Sequence, residues 1–124
     1  MIHNFEPYFS PRGGHASCTM DFPWGHARLS EEDFSRYSET HRPHEAEWLK
    51  KLFKVHFNNP RVTLLEVEQS IAGAGLSILS WIEEFREKHY GSPSHWREVK
   101  ELYPTVSLRE LAIHGVHMVL VKNW

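Results

Sequence analysis

The chain has a single cysteine, Cys18, in 124 residues, which excludes an intrachain disulfide framework and a zinc ribbon built from paired CxxC thiolates. It has no uninterrupted apolar run near the roughly 20 residues a membrane helix requires. Its opening, Met1-Ile2-His3-Asn4-Phe5-Glu6-Pro7, lacks the basic and apolar regions of a secretory signal, so a cytoplasmic protein is the expectation. Positive charge is not in excess either. Fourteen Lys and Arg stand against sixteen Asp and Glu, shared evenly between the halves on either side of residue 60, so a nucleic-acid footprint has to come from a local patch. Phosphate-cradling and nucleophile-elbow patterns (GxxxxGK[ST], GxGxxG, GxSxG) are missing, and Gly73-Ala74-Gly75 is too short for a dinucleotide loop. No catalytic residue and no cofactor is expected.

What is present in quantity is aromatic surface and histidine. Five Trp, seven Phe and four Tyr can serve a small core and can also anchor a protein interface. Ten histidines include two HxxH spacings, His41/His44 and His114/His117. On a continuous helix residues three apart share a face, but Pro43 and Gly115 interrupt these two. Cys18, with His15 and His26 nearby in sequence, lacks the paired thiolates of a structural zinc site. It also has no evident third group to complete a nucleophile–base pair.

Residues 1–29 show no sustained period and read as an irregular N-terminal arm whose aromatics pack on the body. Ser30, followed by Glu31, Glu32 and Asp33, predicts a capped helix to about Thr40. A stripe at Trp48, Leu49, Leu52, Phe53 and His56 or Phe57 predicts another from Glu45, closed by Asn58-Asn59-Pro60. Thr63 caps a third that Gly73-Ala74-Gly75 breaks. Ile78, Ile82, Phe85 and His89, spaced 4, 3 and 4, predict a helix from Ser77 to about His89. Ser94 caps a two-turn helix, Ser107 caps Leu108–His114, and a last helix runs from about His117 to Trp124. Val119-Leu120-Val121 is a weak strand signal that reads equally as buried helix. The expected fold is all-α, with the arm at 1–29, a first repeat at 30–93 and a second at 94–124 packed as one unit.

The repeat rests on Pro60-Arg61-Val62-Thr63-Leu64-Leu65-Glu66-Val67 and Pro104-Thr105-Val106-Ser107-Leu108-Arg109-Glu110-Leu111, which share P-x-V-[T/S]-L-x-E-[V/L]. Val106-Ser107-Leu108-Arg109-Glu110-Leu111-Ala112, followed by Gly115-Val116-His117 and a run ending in Trp124, resembles the helix-turn-helix superfamily. The likeness is to the small trihelical domains at the N-termini of transposases. It implies recognition helices at Ser77–Trp81 and His117–Trp124, whose N-terminal parts would enter a major groove. Asn123 could then read adenine and Lys122 could meet phosphate or guanine. His117 would stand at the start of that helix, and Lys50, Lys51, Lys54 and Arg61 would complete the phosphate contacts. The expected function is therefore binding rather than catalysis. It is either DNA binding by a helix-turn-helix-type regulator, or a small helical protein-binding module (adaptor, antitoxin or inhibitor). A homodimer is among the assemblies to expect.

No physiological metal is expected. Melting in EDTA and in added zinc should give the same midpoint, whereas a true site would stabilise by about 2.7 kcal/mol at a hundredfold excess over its dissociation constant. A shift of several degrees, abolished jointly by His114→Ala and His117→Ala, would overturn this expectation.

Overall fold

The computed structural model describes residues 1–13, 20, 22–57 and 61–123, without the side chains of His56 and Phe57. Cys18, His15, Asn58-Asn59-Pro60 and Trp124, all invoked above, lie outside the described residues. The chain runs β1 (Ile2–Phe5), α1 (Gly25–Arg28), α2 (Glu31–His41), α3 (Ala46–Leu52), α4 (Leu64–Gly73), β2 (Leu76–Phe85), α5 (Pro93–Leu102), α6 (Leu108–Ala112) and β3 (Ile113–Lys122). The expectation of an all-α domain is therefore wrong: helices share the molecule with a three-stranded antiparallel sheet in the order β1-β3-β2.

The helix starts follow from capping chemistry. Ser30 accepts from the Asp33 amide at 3.1 Å. At α4 the cap is reciprocal: the Thr63 hydroxyl accepts from the Glu66 amide at 3.3 Å, and the Glu66 carboxylate accepts from the Thr63 amide at 2.7 Å, so two unpaired donors are satisfied at once. Ser107 accepts from the Glu110 amide at 3.1 Å and starts α6. α5 begins two residues earlier than expected, with Ser92 as its cap and Pro93 at its first position, where a missing N–H costs nothing. After Ala74 the chain turns through Gly75 at φ 71°, a left-handed conformation that a β-carbon would disfavour.

Two segments expected to be helices are strands. In β3, Val116, Met118 and Leu120 are buried while His117 and Val121 are exposed, the two-residue alternation of a sheet. Four β-branched residues, Ile113, Val116, Val119 and Val121, suit that pleat. β2 disguises its period. The pairing runs Leu76↔Lys122, Ser77↔Val121, Ile78↔Leu120, then Ser80↔Val119, Trp81↔Met118, Ile82↔His117, so Leu79 is an extra, bulged residue. Before the bulge the even positions face the core, and after it the odd ones do. Ile78, Ile82 and Phe85 are spaced by four and three and so mimic a helical stripe, although Ile82, opposite the exposed His117, lies on the other face of the sheet from Ile78 and Phe85.

The shared P-x-V-[T/S]-L-x-E-[V/L] pattern thus marks a capped helix that leads into a long strand, α4 into β2 and α6 into β3, and the two strands pair with each other. Neither candidate recognition segment is helical. The N-terminal arm is less irregular than expected: its first residues form β1, paired with β3 from Ile2↔Val119 to Phe5↔Val116. Its aromatics do pack on the body. Tyr8, Phe9 and Trp24 share one core with Ala27, Val99, Val106 and Leu111. Trp24 is a non-glycine residue at φ 53°, an uncommon conformation for a bulky side chain. Complete burial and an indole N–H bond to the Phe9 carbonyl at 3.0 Å hold it there.

A second core joins α2 and α3 through Phe34, Leu49, Phe53 and Met20, with Phe34 and Phe53 stacked at 4.2 Å between ring centres. The third lies under the sheet: Leu64, Ile113, Val116, Met118 and Leu120, flanked by Phe5, Ile71, Leu76 and Trp81. Among the described residues no helix is long and apolar enough to cross a membrane.

Removing the Thr63 hydroxyl orphans amides at the start of α4. Thr63→Ala should lower the unfolding free energy by about 1 kcal/mol, and Leu65→Ala, at an exposed position on the same helix, should change it by less than about 0.5 kcal/mol. Equal losses in urea denaturation would contradict the assigned cap.

Candidate functional site

The residues expected to form a DNA footprint are not presented as one basic patch. Lys50 on α3 is ion-paired with Glu39 and, at 3.2 Å, with Glu47, and those pairs raise its pKa. Its charge is compensated within the helical lobe. Lys51 and Lys54 are exposed on the same segment. Arg61 is exposed but engaged: its guanidinium donates to the Tyr103 hydroxyl and lies 5.5 Å from that ring's centre. His117 sits mid-strand on β3. Lys122 ends that strand, and Asn123 is occupied in closing the α4–β2 turn, its amide donating to the Gly75 carbonyl at 2.9 Å and its side-chain oxygen accepting from Ser77. Residues expected on one recognition helix are therefore strung along a strand, where neighbours point to opposite faces.

The exposed Arg61 sits on the rim of a polar knot. Tyr103 donates to the Ala27 carbonyl at 2.7 Å, Tyr8 donates to the His26 carbonyl at 3.2 Å, and His26 Nε2 meets the Tyr8 carbonyl at 2.5 Å. Burial pushes the Tyr8 hydroxyl up to about 12 and the His26 imidazole down to about 4.

A different cluster forms where the strands end. β1 and β2 both run antiparallel to β3 and hence parallel to each other, and at their carboxyl ends lies an open cleft of about 570 Å³. Asn4, Glu6, Glu84, Arg86, His114 and His117 line it. Its floor is Gly115, where a β-carbon would come within 3.6 Å of the Phe5 carbonyl and 3.8 Å of the Glu84 carboxylate. Three adjacent strands supply a row of polar groups. His117 Nδ1 lies 2.8 Å from Asn4 Oδ1, His117 Nε2 lies 3.6 Å from Glu84 Oε2, and Arg86 donates to the other Glu84 oxygen at 2.7 Å. The Arg86 bond holds the Glu84 carboxyl below the usual carboxylate range. His114 is the extra residue of a second bulge, between Glu84↔Gly115 and Phe85↔Ile113, and its ring lies 5.2 Å from that of His89. Desolvation lowers the pKa of both imidazoles. Bulges of this kind re-aim side chains. His114 and His117 both line this cleft, but among the described residues no three His, Cys, Asp or Glu side chains are placed to hold a metal ion.

A further exposed feature is apolar. On the sheet face opposite α4, Ile2, Ile82 and Val121 are exposed, with the bulged Leu79 beside them at 70%. Ile78 and Phe85 are also exposed along the same strand. β2 is the sheet's long edge: ten residues without Lys or Pro, interrupted by the Leu79 bulge and carrying Glu83 and Glu84 in its second half. The only signal that could have exposed this face in advance is the alternation in Val116–Val121. No family model, curated protein or solved structure matches the chain.

His26 gives a pH dependence with a definite sign. Its imidazole holds a proton in the unfolded chain below about pH 6.5 but in the fold only near 4. Stability is full above the upper value, falls as pH drops between the two, and levels off below, for a loss of about 3 kcal/mol from this group. Proton NMR should find the His26 ring still neutral at about pH 5. A ring that titrates near 6.5 would contradict its burial.

Proposed function

We propose that this protein is a non-enzymatic binding module whose partner is a protein, engaged through β2 and the adjoining uncovered face of the sheet. The observation that carries this reading is the exposure of Ile78, Leu79, Ile82 and Phe85 on one long edge strand. An edge strand offers a row of backbone donors and acceptors, and strand addition uses them for affinity while alternate side chains supply specificity. Large exposed apolar surface of this kind marks an interaction site. The aromatic and aliphatic character of β2 suits a protein surface better than a polyanion, which demands several uncompensated cations.

The DNA reading draws less support from the same geometry, because Lys50 is ion-paired, Arg61 faces Tyr103, and Lys122 and Asn123 end a strand.

A photo-crosslinking amino acid at position 79 should give discrete protein adducts in extract, while the same group at position 51 should not. Random duplex DNA should show no salt-sensitive anisotropy change. Absence of any protein adduct at position 79, or adducts that form equally at 51, would overturn the reading.

A further inference from the structure

We infer that the occupant of the β2 edge is a second copy of this chain, its β2 lying antiparallel beside the first so that the two sheets join across a two-fold axis. The inference rests on the reading of β2 as a protein-binding edge and names the partner that edge fits.

The first argument is charge. Leu76 to Trp81 carries no ionisable side chain, and both charges of β2, Glu83 and Glu84, lie in its second half. An antiparallel copy brings the acidic half of each strand beside the uncharged half of the other, whereas a parallel copy in register would set glutamates against glutamates, and like charges directly opposed are destabilising. Each carboxylate is also compensated inside its own copy. Glu83 accepts from Arg109, with Nε at 3.0 Å, and from the Trp81 indole at 2.9 Å, and Glu84 accepts from Arg86. The strand therefore reaches a partner with little net repulsion.

The second argument is pattern. Leu79 and Ile82 occupy the middle of the strand, so a two-fold axis there brings the Leu79 and Ile82 of one copy against those of the other, burying the most exposed apolar groups of the edge together. Such an interface is isologous and closes on itself as a dimer. The other edge cannot serve in the same way: β1 is four residues long.

Sedimentation equilibrium of the intact chain at high micromolar concentration should show a reversible dimer. Ile82→Lys and Leu79→Lys, which place a charge on the edge, should each weaken it at least roughly tenfold, while Lys51→Glu should leave it unchanged. Circular dichroism of each variant establishes that it folds. If the edge variants fail to fold, the intact protein decides the matter by itself: a mixture of 15N-labelled and 13C-labelled chains should give intermolecular contacts between β2 residues of the two copies. A monomer at all concentrations, a dimer indifferent to both lysines, or intermolecular contacts confined to other elements would overturn the inference. Should the chain stay monomeric while position 79 still crosslinks to a different protein, self-pairing fails and the protein-binding reading stands.

Discussion

β3 is the strand on which the arrangement of the sheet depends. It accepts β1 along one edge and β2 along the other, and its buried Val116, Met118 and Leu120 provide the floor of the core under α4. β1 and β2, far apart in sequence, join one sheet only through it, since residues 2–5 and 76–85 do not pair with each other. The loop-closure entropy of bringing these segments together is offset by the ladder and by apolar burial. A buried carboxylate secures the junction: Glu110, at the foot of α6, accepts from the Leu64 amide at the start of α4 at 2.8 Å. Burial raises its pKa while that bond opposes the shift. The two capped turns that the sequence repeats are thus physically joined.

The structure divides into features with a local cause and features with a distant one, and that division decides what could be read from the sequence. The helix starts at Ser30, Thr63 and Ser107 depend on a hydroxyl and an amide three residues away, and they were legible. The stripe expected from Glu45 was legible in part: Leu49 and Phe53 are buried, but Trp48 is exposed at 53%. β2 was not, because Ile78, Ile82 and Phe85 fall at helical spacings of four and three while the strand places Ile82 on the opposite face from the other two. β3 carried a visible alternation at Val116–Val121, but Gly115 resembled a turn when it is the floor of a cleft inside the strand. The arm at 1–29 looked irregular because a four-residue strand is too short to show a period.

The candidate site suffered more than the fold. A footprint assembled from Lys50, Lys51, Lys54, Arg61, His117, Lys122 and Asn123 presupposed that charge near in sequence is charge available to a ligand. Lys50 spends its charge on Glu39 and Glu47, and Arg61 turns toward Tyr103. The polar row of Asn4, His117, Glu84 and Arg86 joins residues from three strands, and no spacing rule connects position 4 with position 117. Apolar exposure on β2 was hidden for the converse reason: Ile78, Ile82 and Phe85 read as a buried stripe, and only the topology puts them at a free edge.

The bulge at Leu79 also gives the strand an uneven tolerance of length change. Losing one residue from a strand normally inverts every side chain beyond the gap, turning core positions to solvent. Within β2 the loss of Leu79 alone would leave Ile78 opposite Leu120 and Ser80 opposite Val119, with each downstream side chain on the face it already occupies. Loss of Ile82 would instead set Glu83 opposite His117 and turn the side chains after it to the other face. Insertions and deletions accumulated by descendants of this gene should therefore gather at a single site in the middle of the strand, where the reading of the chain is out of step already.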